Sequence, residues 1–329
     1  MTDWHGKPYY SLDAYCKNVY HHKLYKIALN AHLTCPNRDG TLGLRGCIFC
    51  SRGGSGEFAV PFDADEDAAL DVGKQLQAGL NLFGQKKTGE EFIAYFQAFT
   101  NTYGPLPHLE KIYKSALLHP RVRGISIGTR PDCVPDEVIR LLQRLKADFP
   151  DKFIWVELGL QTIHENTAAY IRRGYPLSTF EDAVRRLSLA GIPVIVHLIL
   201  GLPGETSEMM LQSVSYLSAL RPFGVKLQLL HVLKDTDLAM DYASGKFQVM
   251  TKEAYLELLT QCIALLDEEI VIHRVTGDGR GEDLIAPDWS RNKKDVLNSL
   301  HHRLKLEGIT QGCRKNEVRT IDTRSFDTI

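Results

Sequence analysis

Three cysteines, Cys35, Cys47 and Cys50, lie close together in a run that also contains a proline and several glycines. Three thiolates are one fewer than a closed tetrahedral metal site needs, but they are the number that leaves one iron of a 4Fe-4S cluster open for chemistry. Pro36 and the glycines interrupt regular structure and allow backbone N–H groups to approach the sulfur atoms. The spacing therefore predicts that residues 35–50 form a loop around an iron–sulfur cluster.

Two other uses of these thiols remain open at this point. A structural zinc site would need a fourth ligand, for which His32 is the nearest candidate. Disulfides would need an oxidising compartment, but the N-terminus MTDWHGKPYY has no apolar signal region, and no stretch approaches the roughly 18 apolar residues of a membrane span. We therefore expect a cytoplasmic protein with no membrane segment, in which the seven cysteines serve metal binding or catalysis before disulfides.

The cysteines follow the first of six short apolar runs, which are typical of strands buried on both faces. These runs cover residues 26–31, 92–99, 124–128, 153–160, 193–200 and 225–232. Helical patterns cover residues 65–83, 135–147, 178–190, 205–220 and 251–269. Ser178 with Glu181, and Glu205, are the predicted capping residues of two of these helices. No Gly-x-Gly-x-x-Gly follows a strand, so a dinucleotide-binding sheet has no support.

This alternation predicts right-handed βαβ units and an α/β fold, a partial (β/α)6 TIM-like barrel with a small C-terminal extension. The barrel is expected at residues 26–235, after an N-terminal extension at 1–25. An α/β extension at 236–329, with a strand near 270–275 and a last helix at 292–306, is expected to close the barrel. A chain of 329 residues with 44% apolar content is long enough for such a core.

The charge balance excludes a uniformly basic nucleic-acid binder, because the net charge is −1. Both ends of the chain are nevertheless mildly basic, which is compatible with a phosphate-bearing partner. A solvated, charged helix face explains the same residues, and on charge alone it is the favoured interpretation.

Polar side chains within or just after the apolar runs are informative, because chemistry in barrels lies at the carboxyl ends of the strands. The polar residues at these places are Gln97, Thr100, Asn101, Arg130, Glu157 and Gln161. A carboxylate buried in the fourth strand needs a cation, an ammonium group or ribose hydroxyls as its partner. For each residue alone, a satisfied core hydrogen bond is the alternative to ligand contact.

Taken together, these motifs resemble the radical SAM superfamily over about residues 26–232, in the branch of the radical SAM domain of the Elongator catalytic subunit. The resemblance lies in the Cys-x11-Cys-x2-Cys spacing, in Phe49 before the last cysteine, and in the runs TRPD at 129–132, ELGLQ at 157–161 and LPGE at 202–205. The chain is also similar to bacterial YhcC/YtqA-type proteins in TGDG at 276–279 and APDW at 286–289.

The resemblance implies an enzyme in which Cys35, Cys47 and Cys50 hold a 4Fe-4S cluster whose open iron binds S-adenosylmethionine. Reductive cleavage of that cofactor would give a 5′-deoxyadenosyl radical, which takes a hydrogen atom from the substrate. A Gly-Gly-Glu run that many members place after the second strand is replaced here by residues 97–101. The implied cofactor-binding residues are Phe49, Gln97, Thr100, Asn101, Arg130, Glu157, Gln161, Arg173, Leu200 and Gln228.

The same resemblance, the basic termini and the tyrosine-rich segment at 9–25 predict a tRNA substrate, modified on a wobble uridine side chain. An electron donor such as flavodoxin or ferredoxin is implied as a partner. The alternatives are a radical enzyme acting on a small metabolite or cofactor precursor, and a non-catalytic iron–sulfur or zinc regulator. Asp278, Trp289 and Asn292 are candidate substrate contacts, with Trp289 either a stacking surface for a base or a packing aromatic.

Overall fold

A computed structural model describes residues 4–54, 59, 67–83, 90–277 and 281–317. Its main sheet has seven strands in the order β1-β2-β3-β4-β5-β6-β8. The strands are β1 (Tyr25–Leu29), β2 (Phe92–Phe96), β3 (Val122–Thr129), β4 (Phe153–Gln161), β5 (Val194–Leu200), β6 (Gly224–Leu229) and β8 (Val271–Arg274). A separate antiparallel pair joins β7 (Val232–Leu233) to β9 (Leu284–Ala286). The predicted α/β class is confirmed, and each of the six expected strands is present.

Helices connect the strands, as expected for parallel neighbours. The pairings of β1 with β2, β2 with β3, β3 with β4, and β6 with β8 are all parallel. The helices are α1 (Leu12–Tyr20), α2 (Ala68–Phe83), α3 (Leu106–Leu118), α4 (Asp136–Asp148), α5 (Glu165–Tyr170), α6 (Leu177–Leu189), α7 (Ser207–Leu220), α8 (Asp237–Ala243), α9 (Lys252–Leu265) and α10 (Lys293–Leu306). The strand expected near 270–275 is β8, and it extends the main sheet beside β6.

The chain divides into two compact units. The Cys-loop unit consists of Tyr20–Gly159 and Gly174–Ile195, and the C-terminal unit consists of Met1–Val19, Leu160–Arg173 and Val196–Ile329. The domain boundaries predicted from the sequence stay a prediction.

Burial on both faces explains why the strands of the Cys-loop unit are continuous apolar runs. Every residue of β2, FIAYF, is buried. Phe96 packs edge-on against Tyr113 of α3, with ring centroids 5.2 Å apart. Each large apolar side chain buried in this way contributes about 1.5–3 kcal/mol to the free energy of unfolding. The sheet therefore provides a rigid base for the loops at its carboxyl ends.

Helix α3 is a helix that the sequence interpretation missed. Five of its apolar residues lie at helical spacing and are buried: Leu109, Ile112, Tyr113, Ala116 and Leu117. Pro105 at the N-cap and Pro107 within the first turn form a pattern that is typical of loops. The first turn of a helix nevertheless tolerates proline. The apolar spacing after the prolines was the available signal.

The predicted capping residues were wrong in two helices. Helix α6 begins at Leu177 after Pro176, with no side-chain cap, so Ser178 lies inside the first turn. Helix α7 is capped by Thr206, whose hydroxyl accepts from the backbone N–H of Met209, and not by Glu205. Threonine is a good cap because its short side chain reaches a free N–H of the first turn.

Within the described part of the chain, no helix combines the length and the apolar character that crossing a bilayer requires.

Candidate active site

The loop that carries the three cysteines follows β1 and is closed by its own backbone. The N–H of Arg38 donates to the carbonyl of Cys35 (2.8 Å), and the N–H of Cys50 donates to that of Cys47 (3.0 Å). The guanidinium of Arg38 also donates to the carbonyls of Cys50 (2.9 Å) and Ser51. A β-carbon on Gly46, at φ +72°, would lie 2.8 Å from Arg38 Nε. Glycine at this position therefore lets the arginine cross the loop.

The three loop cysteines are partly buried, and in the described residues none of them forms a disulfide. Burial, followed by the nearby Cys50 thiol, raises the pKa of Cys47 to about 12. In the described ranges, no three His, Cys, Asp or Glu side chains are already gathered as metal ligands. A thiol in this setting ionises only when a cation takes the place of its proton, as iron does. The donor set therefore fits a cluster bound by three thiolates.

The end of β2 lies against this loop. The N–H of Gln97 donates to the carbonyl of Leu29 (3.3 Å), and the N–H of Thr100 donates to that of Thr34, just before Cys35 (3.2 Å). The Asn101 amide donates to the carbonyl of Gly128 (2.9 Å). Its Oδ1 atom is buried and has no hydrogen-bond partner. Such an acceptor is costly unless a ligand or water donates to it.

Arg130, after β3, is buried beside the loop. Its guanidinium makes a two-pronged pair with Asp132 (2.9 and 2.7 Å) and lies over the Tyr175 ring, 4.9 Å from the centroid. Burial acts to lower the pKa of Arg130, but the hydrogen bonds that its guanidinium donates to Asp132 raise this pKa on balance, so the group stays charged. Arg130 thus supplies a fixed positive charge to the Cys-loop unit.

Glu157 in β4 has a protein cation as its partner. Its side chain is buried, and one carboxylate oxygen accepts from Lys26 Nζ (2.6 Å) and from the Ser126 hydroxyl (2.5 Å). The lysine also lies over the ring of Tyr95 at 4.5 Å. The sequence interpretation required a cation or a ligand for this carboxylate, and Lys26 of β1 provides the cation.

In the C-terminal unit, Gln161 is the last residue of β4, and Arg173 contacts the turn that follows this strand. Gln161 has a positive φ of 67°, and its buried Oε1 atom lacks a hydrogen-bond partner. Arg173 is almost fully buried and donates to the carbonyls of Leu160 (3.2 Å) and Thr162 (2.6 Å) and to Glu165. Arg173 therefore shapes this turn through its own contacts. The orphaned amide oxygen of Gln161 suits a ligand with hydroxyl or ammonium donors.

The other residues predicted from the sequence to bind the cofactor or substrate lie at strand ends, in the cysteine loop and in the C-terminal region. Leu200 ends β5, Gln228 lies near the end of β6, and Phe49 lies in the cysteine loop. Trp289 donates its ring N–H to the carbonyl of Met250 (3.0 Å) and packs against Tyr255. Asn292 caps α10 by accepting from the N–H of Asp295. Asp278 lies outside the described residues.

One pair that the sequence interpretation missed is His231 with Ser290. The Ser290 hydroxyl donates to the carbonyl of Pro287 (2.7 Å), and the Oγ atom of Ser290 lies 3.1 Å from Nε2 of His231. Gly277 lies against the imidazole, since a β-carbon there would be 2.2 Å from Nε2. A histidine two residues after β6 was the available signal, because strand ends of barrels carry chemistry.

Glu205 gives the C-terminal unit a predicted pH dependence. Burial raises the pKa of its carboxyl, although the Thr162 hydroxyl donates to it. Because the folded-state pKa lies above the unfolded value, this group stabilises the fold below its ordinary pKa, and that stabilisation is lost as pH rises through the folded-state pKa. We expect Glu205→Gln to gain stability relative to wild type at pH 7 and to lose this advantage at about pH 4.

Urea unfolding of both proteins across this pH range measures the effect. Glu208→Gln, an exposed carboxylate on the next helix, is the matched control and should follow wild type within about 0.5 kcal/mol. A constant difference between Glu205→Gln and wild type at every pH would show that the Glu205 pKa is not raised.

Comparison with known proteins agrees with this geometry. Residues 40–217 match the model of the Radical SAM superfamily, and residues 222–306 match the Radical_SAM C-terminal domain. The protein YtqA of Bacillus subtilis is 39% identical over 306 residues, which are 93% of this chain and 92% of YtqA. The tRNA uridine(34) acetyltransferase of Methanocaldococcus jannaschii is 26% identical over 176 residues, which are 53% of this chain and 31% of that protein.

A solved structure has the same fold. The archaeal Elp3 of Methanocaldococcus infernus superposes with a TM-score of 0.65 at 17% identity, covering 89% of this chain and 65% of that one. The expected partial-barrel class is thereby confirmed. The family models and the extent of the match to YtqA settle the relationship: the chain belongs to the radical SAM superfamily of enzymes, with a 4Fe-4S cluster and S-adenosylmethionine as its cofactors.

Proposed function

We propose that this protein is a radical enzyme that modifies a uridine side chain of tRNA, at the wobble position. The observation that carries the proposal is the match of about half the chain to a tRNA uridine(34) acetyltransferase. The chain spans less than a third of that relative. We therefore carry over from it the uridine substrate, and not the transfer of an acetyl group.

Within this proposal, Cys35, Cys47 and Cys50 hold the cluster. When bound, the cluster and S-adenosylmethionine supply a 5′-deoxyadenosyl radical for abstraction of a substrate hydrogen atom. The unpartnered amide oxygens of Asn101 and Gln161 are proposed to accept from the cofactor's ammonium or hydroxyl groups. The other proposed contacts are Phe49, Gln97, Thr100, Arg130, Glu157, Arg173, Leu200 and Gln228.

The tyrosine-rich N-terminal segment gives this proposal less support than the sequence suggested. Tyr9 and Tyr10 are buried. Tyr15 packs edge-on against Phe223 at 5.0 Å, and Tyr20 packs against Phe153 at 5.6 Å. Tyr9 and Tyr10 therefore belong to the core, while Tyr15 and Tyr20 are partly buried and already pack against protein aromatic rings.

A better candidate for phosphate contact is the exposed face of α10. This face carries four exposed residues, Lys294, Asn298, His302 and Lys305. They lie within about a quarter-turn of one another around the helix axis. Glu307 lies off this face, whereas Asp295 lies at its border, about 20° around the axis from His302, and pairs with Lys252 (2.6 Å). Two exposed lysines on one helix face favour contact with a nucleic-acid backbone.

We expect Lys294→Ala/Lys305→Ala to bind tRNA more weakly and with less salt dependence. Each lost phosphate contact lowers the slope of log affinity against log salt by about 0.7–0.9, so the double variant should lose about 1.5. Binding is measured by filter retention of a tRNA transcript at several salt concentrations. Lys114→Ala, an exposed lysine on α3, is the control. Equal slopes for the two variants would exclude the α10 face as an RNA contact.

The uridine itself is tested with two transcripts that differ only in U34→C34. After anaerobic reconstitution with iron and sulfide, dithionite and S-adenosylmethionine are added and 5′-deoxyadenosine is measured. We expect the U34 transcript to stimulate its formation and to yield a nucleoside of altered mass, and the C34 transcript to do neither. Equal stimulation by both transcripts, or by neither, would refute a wobble-uridine substrate.

A small-molecule substrate is the second candidate. The observation that favours it is a cavity of about 530 Å³ beside the cysteine loop, lined by Pro36, Thr41, Leu42, Tyr103, Cys133 and Val138 among others. Its volume is within the range of small-ligand pockets. Stimulation of 5′-deoxyadenosine formation by a metabolite extract freed of RNA, and not by tRNA, would favour this alternative.

A further inference from the structure

Asn37 connects the two halves of the cysteine loop and contacts a predicted cluster ligand directly. Its side chain is buried, with 5% of the residue exposed. Its Nδ2 atom donates to Cys47 Sγ at 3.5 Å, and its backbone carbonyl accepts from the N–H of Gly46 at 2.7 Å. The sequence interpretation named the cysteines and left Asn37 without a role. The structure places it between Cys35 and Cys47, where it holds one sulfur by a directed hydrogen bond.

A buried cation lies next to this asparagine. A β-carbon added to Gly174 would lie 2.9 Å from Asn37 Oδ1 and 3.2 Å from Arg130 Nη2, so both side chains lie against the same glycine. Gly174 has a φ of +83°, a conformation that side-chain-bearing residues adopt at a cost. The backbone at 174 is therefore shaped to admit both polar groups beside the loop.

These contacts have a known kind of effect on a metal centre. Hydrogen bonds to ligand sulfur and nearby positive charge stabilise the electron gained on reduction, and so raise the reduction potential of an iron–sulfur cluster. The charge of Arg130 is largely balanced by Asp132 at 2.7 Å. Asn37, which donates to the sulfur itself, is therefore the stronger contributor of the two.

We propose that Asn37 is a positioning residue that holds the Cys47 sulfur for cluster binding and raises the reduction potential of the bound cluster. The inference rests on the role of the three cysteines as cluster ligands and is independent of the tRNA substrate. No electron donor is assigned by it, because the potential is a property of the cluster in this protein.

The test is a redox titration of the reconstituted protein followed by the electron paramagnetic resonance signal of the reduced cluster. Asn37→Leu and Asn37→Ala remove the donor with and without filling its volume. We expect the ratio of reduced to oxidised cluster at a fixed potential to fall about tenfold in both, equivalent to about 59 mV for one electron. Thr41→Val is the loop-matched control, because Thr41 bonds to Tyr103 and to no cysteine sulfur in the described contacts.

Each outcome decides. An unchanged potential in both Asn37 variants, with wild-type iron content and circular dichroism, would overturn the inference. Loss of the cluster from both variants while Thr41→Val retains it would support the positioning role. A wild-type protein that gives no reduced-cluster signal would instead overturn the assignment of the cysteines as cluster ligands, a failure that is visible before any variant is made. None of these readouts depends on RNA.

Discussion

Cys47→Ser is expected to abolish cluster binding and reduce 5′-deoxyadenosine formation by more than about 100-fold, the upper range for loss of a residue that only supports a ligand. The reason is that three thiolates are the whole protein donor set of the cluster, and a serine oxygen is too hard and too weakly acidic to replace a thiolate toward iron. Cys47 is also the loop cysteine that Asn37 positions, at 3.5 Å.

The measurement combines iron and sulfide content with chromatography of 5′-deoxyadenosine after addition of dithionite and S-adenosylmethionine. Cys313→Ser is the matched control, since Cys313 is an exposed free thiol far along the chain from the loop. We expect this control to retain both properties. A Cys47→Ser protein that still binds iron and forms 5′-deoxyadenosine would contradict the assignment of the loop.

Lys26→Met is expected to lower the free energy of unfolding by about 3 kcal/mol or more, a larger loss than for any other substitution proposed for this protein. The substitution leaves Glu157, whose side chain is fully buried, without the ammonium that lies 2.6 Å from it. The Ser126 hydroxyl remains as a donor, but a neutral donor does not replace the charge of the lost ammonium. Since 18% of the Lys26 side chain is exposed, the lower end of the usual 3–5 kcal/mol range applies.

The measurement is guanidinium unfolding of wild type, Lys26→Met, the double variant Lys26→Met/Glu157→Gln and Lys23→Met. It distinguishes loss of the ion pair from loss of the lysine side chain itself. Adding Glu157→Gln to Lys26→Met removes the buried carboxylate charge that has lost its ammonium and should recover most of the lost stability. Lys23→Met, which alters an exposed lysine over the Tyr25 ring, is the control and should cost no more than about 1 kcal/mol. A double variant as unstable as Lys26→Met alone would show that the lysine acts by packing and not by charge.

Much of the fold was predictable from the sequence because its strands are locally encoded. A strand covered on both faces has a nearly continuous apolar sequence, so β4 was expected at residues 153–160 and lies at Phe153–Gln161. Helix α4 was expected at 135–147 and lies at Asp136–Asp148 for a similar reason, its apolar stripe. The helix ends were predicted less well: Glu205 was expected to cap α7, but the cap is Thr206, whose shorter side chain reaches a free N–H of the first turn.

The family was also determined by the sequence alone. The Cys-x11-Cys-x2-Cys spacing and the short runs at the strand ends are local in the chain, and each serves a chemical requirement that few other residues meet. The cysteine ligands therefore needed no tertiary contact to be recognised as a group.

Only the tertiary structure decided the partners of the buried polar residues. Lys26 and Glu157 are 131 positions apart and meet because β1 and β4 belong to one sheet. Gly174 approaches Asn37 and Arg130 from another part of the chain, and Tyr15 and Tyr20 of the tyrosine-rich N-terminal segment pack against Phe223 and Phe153. Periodicity records which face of an element is buried, but not which residue faces it across the core. A charge or amide that is expected from the sequence to be buried indicates that a partner is needed, but only the folded chain determines which residue is that partner.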